Sequence, residues 1–104
     1  MERLEEIWRP VKEHQNYEVS NLGLVRRAKD HRILHQSRNQ DGGYLRVALD
    51  RKKYYVHRLV AQSFGIVKPG EDVRHVDGNR LDNSVLNLMG RRKGPGEDGY
   101  EWPD

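Results

Sequence analysis

The sequence predicts a small α+β fold in which short antiparallel hairpins accompany one small helix. Three observations carry this expectation. Apolar and polar residues alternate in short runs, as at Leu45, Val47 and Leu49. Turn-forming stretches such as Asn21-Leu22-Gly23 and Asp41-Gly42-Gly43 separate those runs. A single segment instead spaces its apolar residues by four, at Val56, Val60 and Phe64. With 104 residues, the chain suits one compact unit. Hydrophobic residues make up 35% and charged residues 34%, so its core has to be thin.

Ile7-Trp8-Arg9-Pro10-Val11 opens the ordered part, and Pro10 argues against a helix there. Tyr17-Glu18-Val19-Ser20 and Leu24-Val25-Arg26-Arg27 read as the strands of a hairpin, because Asn21 and Gly23 tolerate positive φ in its turn. Arg32-Ile33-Leu34-His35 reads as a third, weaker strand. Tyr44 to Leu49 alternates cleanly, and Asp50 to Lys53 turns the chain back into Tyr54-Tyr55-Val56. The helix then runs from His57 until Gly65 ends it. After the loop at Lys68-Pro69-Gly70, Val73-Arg74-His75-Val76 forms a short strand and Asp77-Gly78-Asn79 turns out of it. Asp82-Asn83-Ser84 supplies capping side chains for a single helical turn through Val85, Leu86 and Leu88. From Lys93 to Asp104, glycine and proline disfavour a regular helix, and a loosely ordered tail is expected.

Charge narrows the class of partner. Lys and Arg exceed acidic residues by 19 to 16, a modest net +3, but they cluster. Arg26, Arg27, Lys29, Arg32 and Arg38 form one group, Arg46, Arg51, Lys52, Lys53 and Arg58 a second, and Arg91, Arg92 and Lys93 a third. Clustered positive charge on a thin fold points to a polyanion, against the alternative of a merely solvated face. The absence of cysteine excludes disulfides, cysteine-type zinc sites and thiol nucleophiles. No apolar run approaches the ~20 residues a membrane helix needs, and the charged Met1 to Glu6 lacks a signal-peptide core. A cytoplasmic location is the expectation.

Chemistry concentrates between Val73 and Leu88, where one imidazole sits among short amide and carboxylate side chains on tight turns. Hydrolysis of a phosphodiester needs a base for water, a cation on the phosphate and a group that orients the base. His75 suits the base, since neutral imidazole accepts a proton near pH 7. Arg74 suits a phosphate contact, and Asn87 suits a group holding the ring or its loop. The plainer alternatives are that Asn87 only bonds backbone, and that Asn79, Asp82 and Asn83 are turn and cap residues. His57 reads as a packing or capping residue, and His14, His31 and His35 as exposed ones.

Val73 to Leu88, with its histidine, Asp77-Gly78-Asn79 and closing Asn87-Leu88, resembles the central motif of HNH endonucleases of homing and phage type. Gly43 to Val47 and Val56 to Ala61 resemble the segment preceding that motif. Ile7-Trp8 with Tyr17 to Arg26 resembles a NUMOD-type module, so the likeness spans roughly residues 6 to 90. It implies a ββα-metal nuclease that hydrolyses DNA with a divalent ion, Mg²⁺ or Mn²⁺. His75 matches the general base and Asn87 the central asparagine. The resemblance divides the chain into a DNA-contacting region at 1–53, an HNH-like segment at 54–92 and the tail at 93–104, as one compact unit. Arg26, Arg27, Arg46, Arg58 and Arg74 are the expected phosphate contacts. Two positions depart from the pattern. Arg74 stands where an acidic or amide metal ligand is common, and the final motif position falls in Arg91 to Gly96, leaving Asp77, Glu97 or Asp98 as substitutes, with Asp77 the foremost candidate. Two alternatives follow: an HNH-like DNA-binding module without hydrolysis, and a phage factor that binds a protein.

Overall fold

The computed structural model describes residues 5–68 and 71–91. The expected tail, Glu97, Asp98 and the center of the loop at Pro69-Gly70 lie outside the described residues. In chain order the elements are β1 (Trp8–Val11), β2 (His14–Ser20), β3 (Val25–Arg27), β4 (Ser37–Arg38), β5 (Leu45–Leu49), β6 (Lys52–Tyr55), α1 (Val56–Ser63), β7 (Asp72–His75), a single 3-10 turn at Val85–Asn87, and β8 (Leu88–Arg91). The strands form three antiparallel sheets, β1-β2-β3, β4-β5-β6 and β7-β8. The expected α+β class holds.

The β2–β3 hairpin forms where the turn residues demand it. Gly23 takes φ +91°, and the Ser20 hydroxyl accepts the Leu22 and Leu24 N–H groups at 3.2 Å each. Val19 and Val25, paired across the ladder, are fully buried. Pro10, beyond the reach of an alternation argument, belongs to β1, an edge strand, where a missing N–H donor is tolerated. The expected strand at Arg32 to His35 is reduced to one bridge, between Ile33 and Arg26. A tight turn explains this. His31 takes φ +60°, and the Arg27 N–H donates to the Arg32 carbonyl at 3.0 Å, so the chain leaves the ladder after one residue pair. Regular pairing resumes only at β4.

Strands β5 and β6 pair through a two-residue turn in which Asp50 and Arg51 both have positive φ, +50° and +72°. Helix α1 follows β6 directly and places Val56, Leu59, Val60 and Ala61 inward, and Gly65 at φ +72° stops it, as its spacing predicts. This one helix packs against strands of all three sheets and so joins them into one core. Val11, Val19, Val47, Leu49, Val56 and Val60 are its center. Each such side chain contributes roughly 1.5–3 kcal/mol on burial, which matters in so thin a domain.

Strand β8 is an unexpected element, as is the short β4. Leu88 reads from sequence as the end of a helical turn, and Met89-Gly90-Arg91 shows no alternation. The structure pairs them with β7, setting His75 opposite Leu88 and Val73 opposite Gly90. A Cβ at Gly90 would stand 3.2 Å from Val67 Cγ1, so glycine lets this strand close on the loop after α1. No side chain caps the 3-10 turn. Instead the Val85 N–H donates to the Asn21 carbonyl in the β2–β3 turn at 2.8 Å. No described helix is long and apolar enough to cross a membrane.

Candidate functional site

His75 ends β7 and is 7% exposed. Its Nε2 lies 2.7 Å from Asn83 Oδ1. A carboxamide oxygen only accepts hydrogen bonds, so in the neutral ring the proton sits on Nε2 and the lone pair on Nδ1. That tautomer leaves Nδ1 able to accept a proton. Asn83 reaches the ring because the loop before it turns on its own side chains. Asp77 Oδ1 accepts the Asn79 N–H at 2.8 Å, Asn79 Oδ1 accepts the Leu81 N–H at 3.1 Å, and Asp82 Oδ1 accepts the Ser84 N–H at 3.2 Å.

Asn87 holds that loop at both ends. Its Oδ1 accepts the Asp77 N–H at 3.2 Å, its Nδ2 donates to the Asp82 carbonyl at 3.0 Å, and its own carbonyl accepts the Val76 N–H at 2.8 Å. Of the two roles open to Asn87 in the sequence, it takes the loop, while Asn83 takes the ring. From sequence Asn83 reads as a turn and cap residue, because nothing local distinguishes it from Asn79 or Asn87. Asp77 is exposed and bonded into its turn. The Asn79 backbone N–H, then the Asn87 side chain, hold its carboxyl below the ordinary range.

A cleft of about 670 Å³ opens at this loop. Tyr44, Tyr55, His57 and His75 form its aromatic wall, with the His57 and His75 ring centroids 5.2 Å apart and those of Tyr44 and His57 5.0 Å apart. His57 is buried and its Nδ1 has no hydrogen-bond partner. Burial lowers its pKa to about 4, helped by the neighbouring His75 and Arg58 charges, so the ring stays neutral near pH 7. The packing expected of His57 is therefore joined to a place in the cleft wall. His31 and His35 are exposed as expected, whereas His14 is half-buried and meets Tyr54 edge-on at 4.8 Å.

The expected phosphate contacts divide. Arg58 and Arg74 line the cleft together with Arg80, which sequence reasoning missed. The Arg80 guanidinium lies 4.6 Å over the Tyr44 ring and donates to the Gly42 carbonyl. Its only sequence signal is a basic residue on a turn beside the histidine. Arg46 is half-buried, with its Nε enclosed and unpartnered. Arg26 and Arg27 lie outside this cleft. Arg26 Nε donates to Glu18 at 2.8 Å with its guanidinium 3.9 Å over Trp8, and Arg27 Nε donates to Asp30 at 3.2 Å.

A divalent ion of the magnesium type takes a set of oxygen donors, carboxylates above all. Among the described residues no three His, Cys, Asp or Glu side chains gather closely enough to hold one. Among the described residues lining the cleft the one carboxylate, Asp72, lies 3.7 Å from Arg58 Nη2, and Asp77 is not among them. The donor set among the described residues does not fit such an ion.

Residues 6–50 match the family model of the NUMOD4 motif, and residues 54–93 match that of the HNH endonucleases. Over 93 residues the chain is 39% identical to the uncharacterized HNH endonuclease L247 of Acanthamoeba polyphaga mimivirus, covering 80% of this chain and 23% of that protein. A second mimivirus relative, the uncharacterized HNH endonuclease L245, is 38% identical over 87 residues, covering 78% and 26%. A solved structure that concerns DNA binding and cleavage by the HNH homing endonuclease I-HmuI superposes with a TM-score of 0.72 at 35% identity, covering 82% of this chain and 52% of that one. The chain thus spans about a quarter of the length of its curated relatives and about half of the solved one. The two family matches are separated only by residues 51–53, and the second encloses His75, Asn83 and Asn87; the chain belongs to the HNH endonuclease family and carries a NUMOD4 motif before its HNH segment.

Proposed function

We propose that this chain acts on DNA as an HNH endonuclease, with His75 as the general base for phosphodiester hydrolysis. The observation that carries the reading is the 2.7 Å contact between His75 Nε2 and Asn83 Oδ1, which supports a ring protonated at Nε2 with its lone pair at Nδ1. In the proposed step Nδ1 takes a proton from water while the water oxygen bonds to phosphorus. The bond from phosphorus to the leaving sugar oxygen breaks, and that oxygen acquires a proton from solvent. Guanidinium groups of Arg58, Arg74 and Arg80 balance the negative charge that builds on the phosphate. Asn87 keeps the loop, and through it Asn83, in position. HNH nucleases generally use a divalent metal ion. Because the described donors do not fit one, this step is assigned to the chain's own residues.

The test is nicking of supercoiled plasmid, with Mg²⁺, with Mn²⁺ and with chelator. Loss of a general base typically lowers the rate about 10²–10⁴-fold, so His75→Ala should all but abolish nicking. Nicking at an undiminished rate in that variant would remove His75 from the role.

One observation favours a second reading, a DNA-binding module without hydrolysis. Arg74 directly precedes the imidazole and adds cationic charge where a carboxylate would assist an ion. DNA binding without nicking under any of the three conditions would mark that outcome.

A further inference from the structure

The charges around the cleft are unevenly matched. Arg58, Arg74 and Arg80 line it, and Asp72 is the one acidic side chain among the residues lining it. Asp72 is already engaged, with Arg58 Nη2 3.7 Å from its Oδ1. Among the described residues neither Arg74 nor Arg80 pairs with a carboxylate. Arg80 is also held in place, stacked over Tyr44 and bonded to the Gly42 carbonyl, and its guanidinium has further N–H donors beyond that bond. Arg74 is exposed on β7, one residue from the imidazole.

Two ligands compete for such a site on chemical grounds. Among the described residues, a divalent cation would meet positive charge on several sides and no free carboxylate. A phosphate meets planar forks of N–H donors that match its oxygens two at a time. The aromatic wall of Tyr44, Tyr55 and His57 keeps water from one side, which strengthens attraction for the anion. We propose that the cleft beside His75 holds a DNA backbone phosphate on Arg74 and Arg80, and does so without a divalent ion. This deepens the reading of the chain as a DNA-acting module and rests on it. Guanidinium charge thereby takes over the compensating role that a metal ion has in HNH nucleases.

The experiment measures binding of the 104-residue chain to a short fluorescent DNA duplex by anisotropy, in chelator and in Mg²⁺ at matched ionic strength. Affinity in chelator should be no weaker than in Mg²⁺. Arg74→Ala and Arg80→Ala should each weaken binding about tenfold, the scale of one charge-assisted hydrogen bond. Each should also lower the slope of log affinity against log salt by about one. Arg74→Glu, at an exposed position that leaves packing intact, should weaken binding further, with circular dichroism confirming the fold. Titration of the free protein with Mn²⁺ should show no site. Binding that chelator abolishes, unchanged affinity and slope in both alanine variants, or a Mn²⁺ site lost in His75→Ala would each overturn the metal-free grip while leaving a DNA partner standing. No DNA binding at low salt under either condition would instead overturn the proposed function itself.

Discussion

Asn83 and His75, eight residues apart in sequence, meet side chain to side chain at 2.7 Å inside the loop that joins β7 to the 3-10 turn. An amide oxygen therefore decides which nitrogen of the imidazole carries its proton. Asn83→Leu removes the acceptor at similar volume and should lower nicking roughly 10–100-fold, the usual loss when an imidazole's orienting partner is removed. Asn83→Asp keeps an accepting oxygen and should restore most of the rate. Equal losses in both variants, with an unchanged melting temperature, would show that the oxygen does not orient the ring.

Gly23 connects the first sheet to this loop. It takes φ +91°, and a Cβ there would lie 3.1 Å from the Asn83 backbone carbon and oxygen. Gly78 has a similar φ of +79° but open space around its Cβ position. Positive φ alone costs a non-glycine residue about 1–2 kcal/mol. Gly78→Ala should therefore lower the melting temperature by roughly 4–8 °C per kcal/mol, and Gly23→Ala should lower it clearly more. Thermal unfolding of the two variants checks the difference, which isolates the push on Asn83.

His57 makes stability depend on pH with a definite sign. Burial, then the charges of His75 and Arg58, lowers its pKa from 6.5 to about 4 in the folded protein. The unfolded chain therefore binds a proton that the folded one refuses between about pH 4 and 6.5. The stabilising effect is complete above pH 6.5 and is lost as pH falls toward 4, by roughly 2–3 kcal/mol. Urea unfolding across that range should show the loss. His57→Phe, which cannot titrate, should flatten the acid limb relative to the parent.

Arg26 is expected to report on stability. Its Nε bond to Glu18 and its stack over Trp8 tie β3, β2 and β1 together. Arg26→Ala should cost about 1 kcal/mol, visible as a melting temperature lower by roughly 4–8 °C. An unchanged melt with a tenfold loss of DNA affinity would reassign this residue to the DNA surface.

Local pattern made most of the fold legible. The β2–β3 and β5–β6 hairpins, the four-spaced stripe of α1 and its stop at Gly65 follow from residues within a few positions of one another. β8 escaped, as did the short β4 at Ser37–Arg38, because Met89-Gly90-Arg91 pairs with a strand fifteen to nineteen residues earlier and shows no alternation of its own. The strand read at Arg32 to His35 shrank to one bridge for the opposite reason, since a locally suitable run was pulled off the ladder by the turn at His31.

By itself, then, the sequence determined the α+β class, the hairpins and helix, and the imidazole about which the proposed chemistry is arranged. Periodicity and turn chemistry act over short range and are written into neighbouring residues. Only the tertiary structure decided which of three chemically equivalent asparagines meets His75, and which arginines share its cleft. Those choices depend on chain closure over long distances: the β2–β3 turn, some sixty residues upstream, receives the Val85 N–H and abuts Asn83, while Gly42 receives Arg80. No window of sequence contains both partners of such contacts, so their identity emerges only when the core brings the segments together.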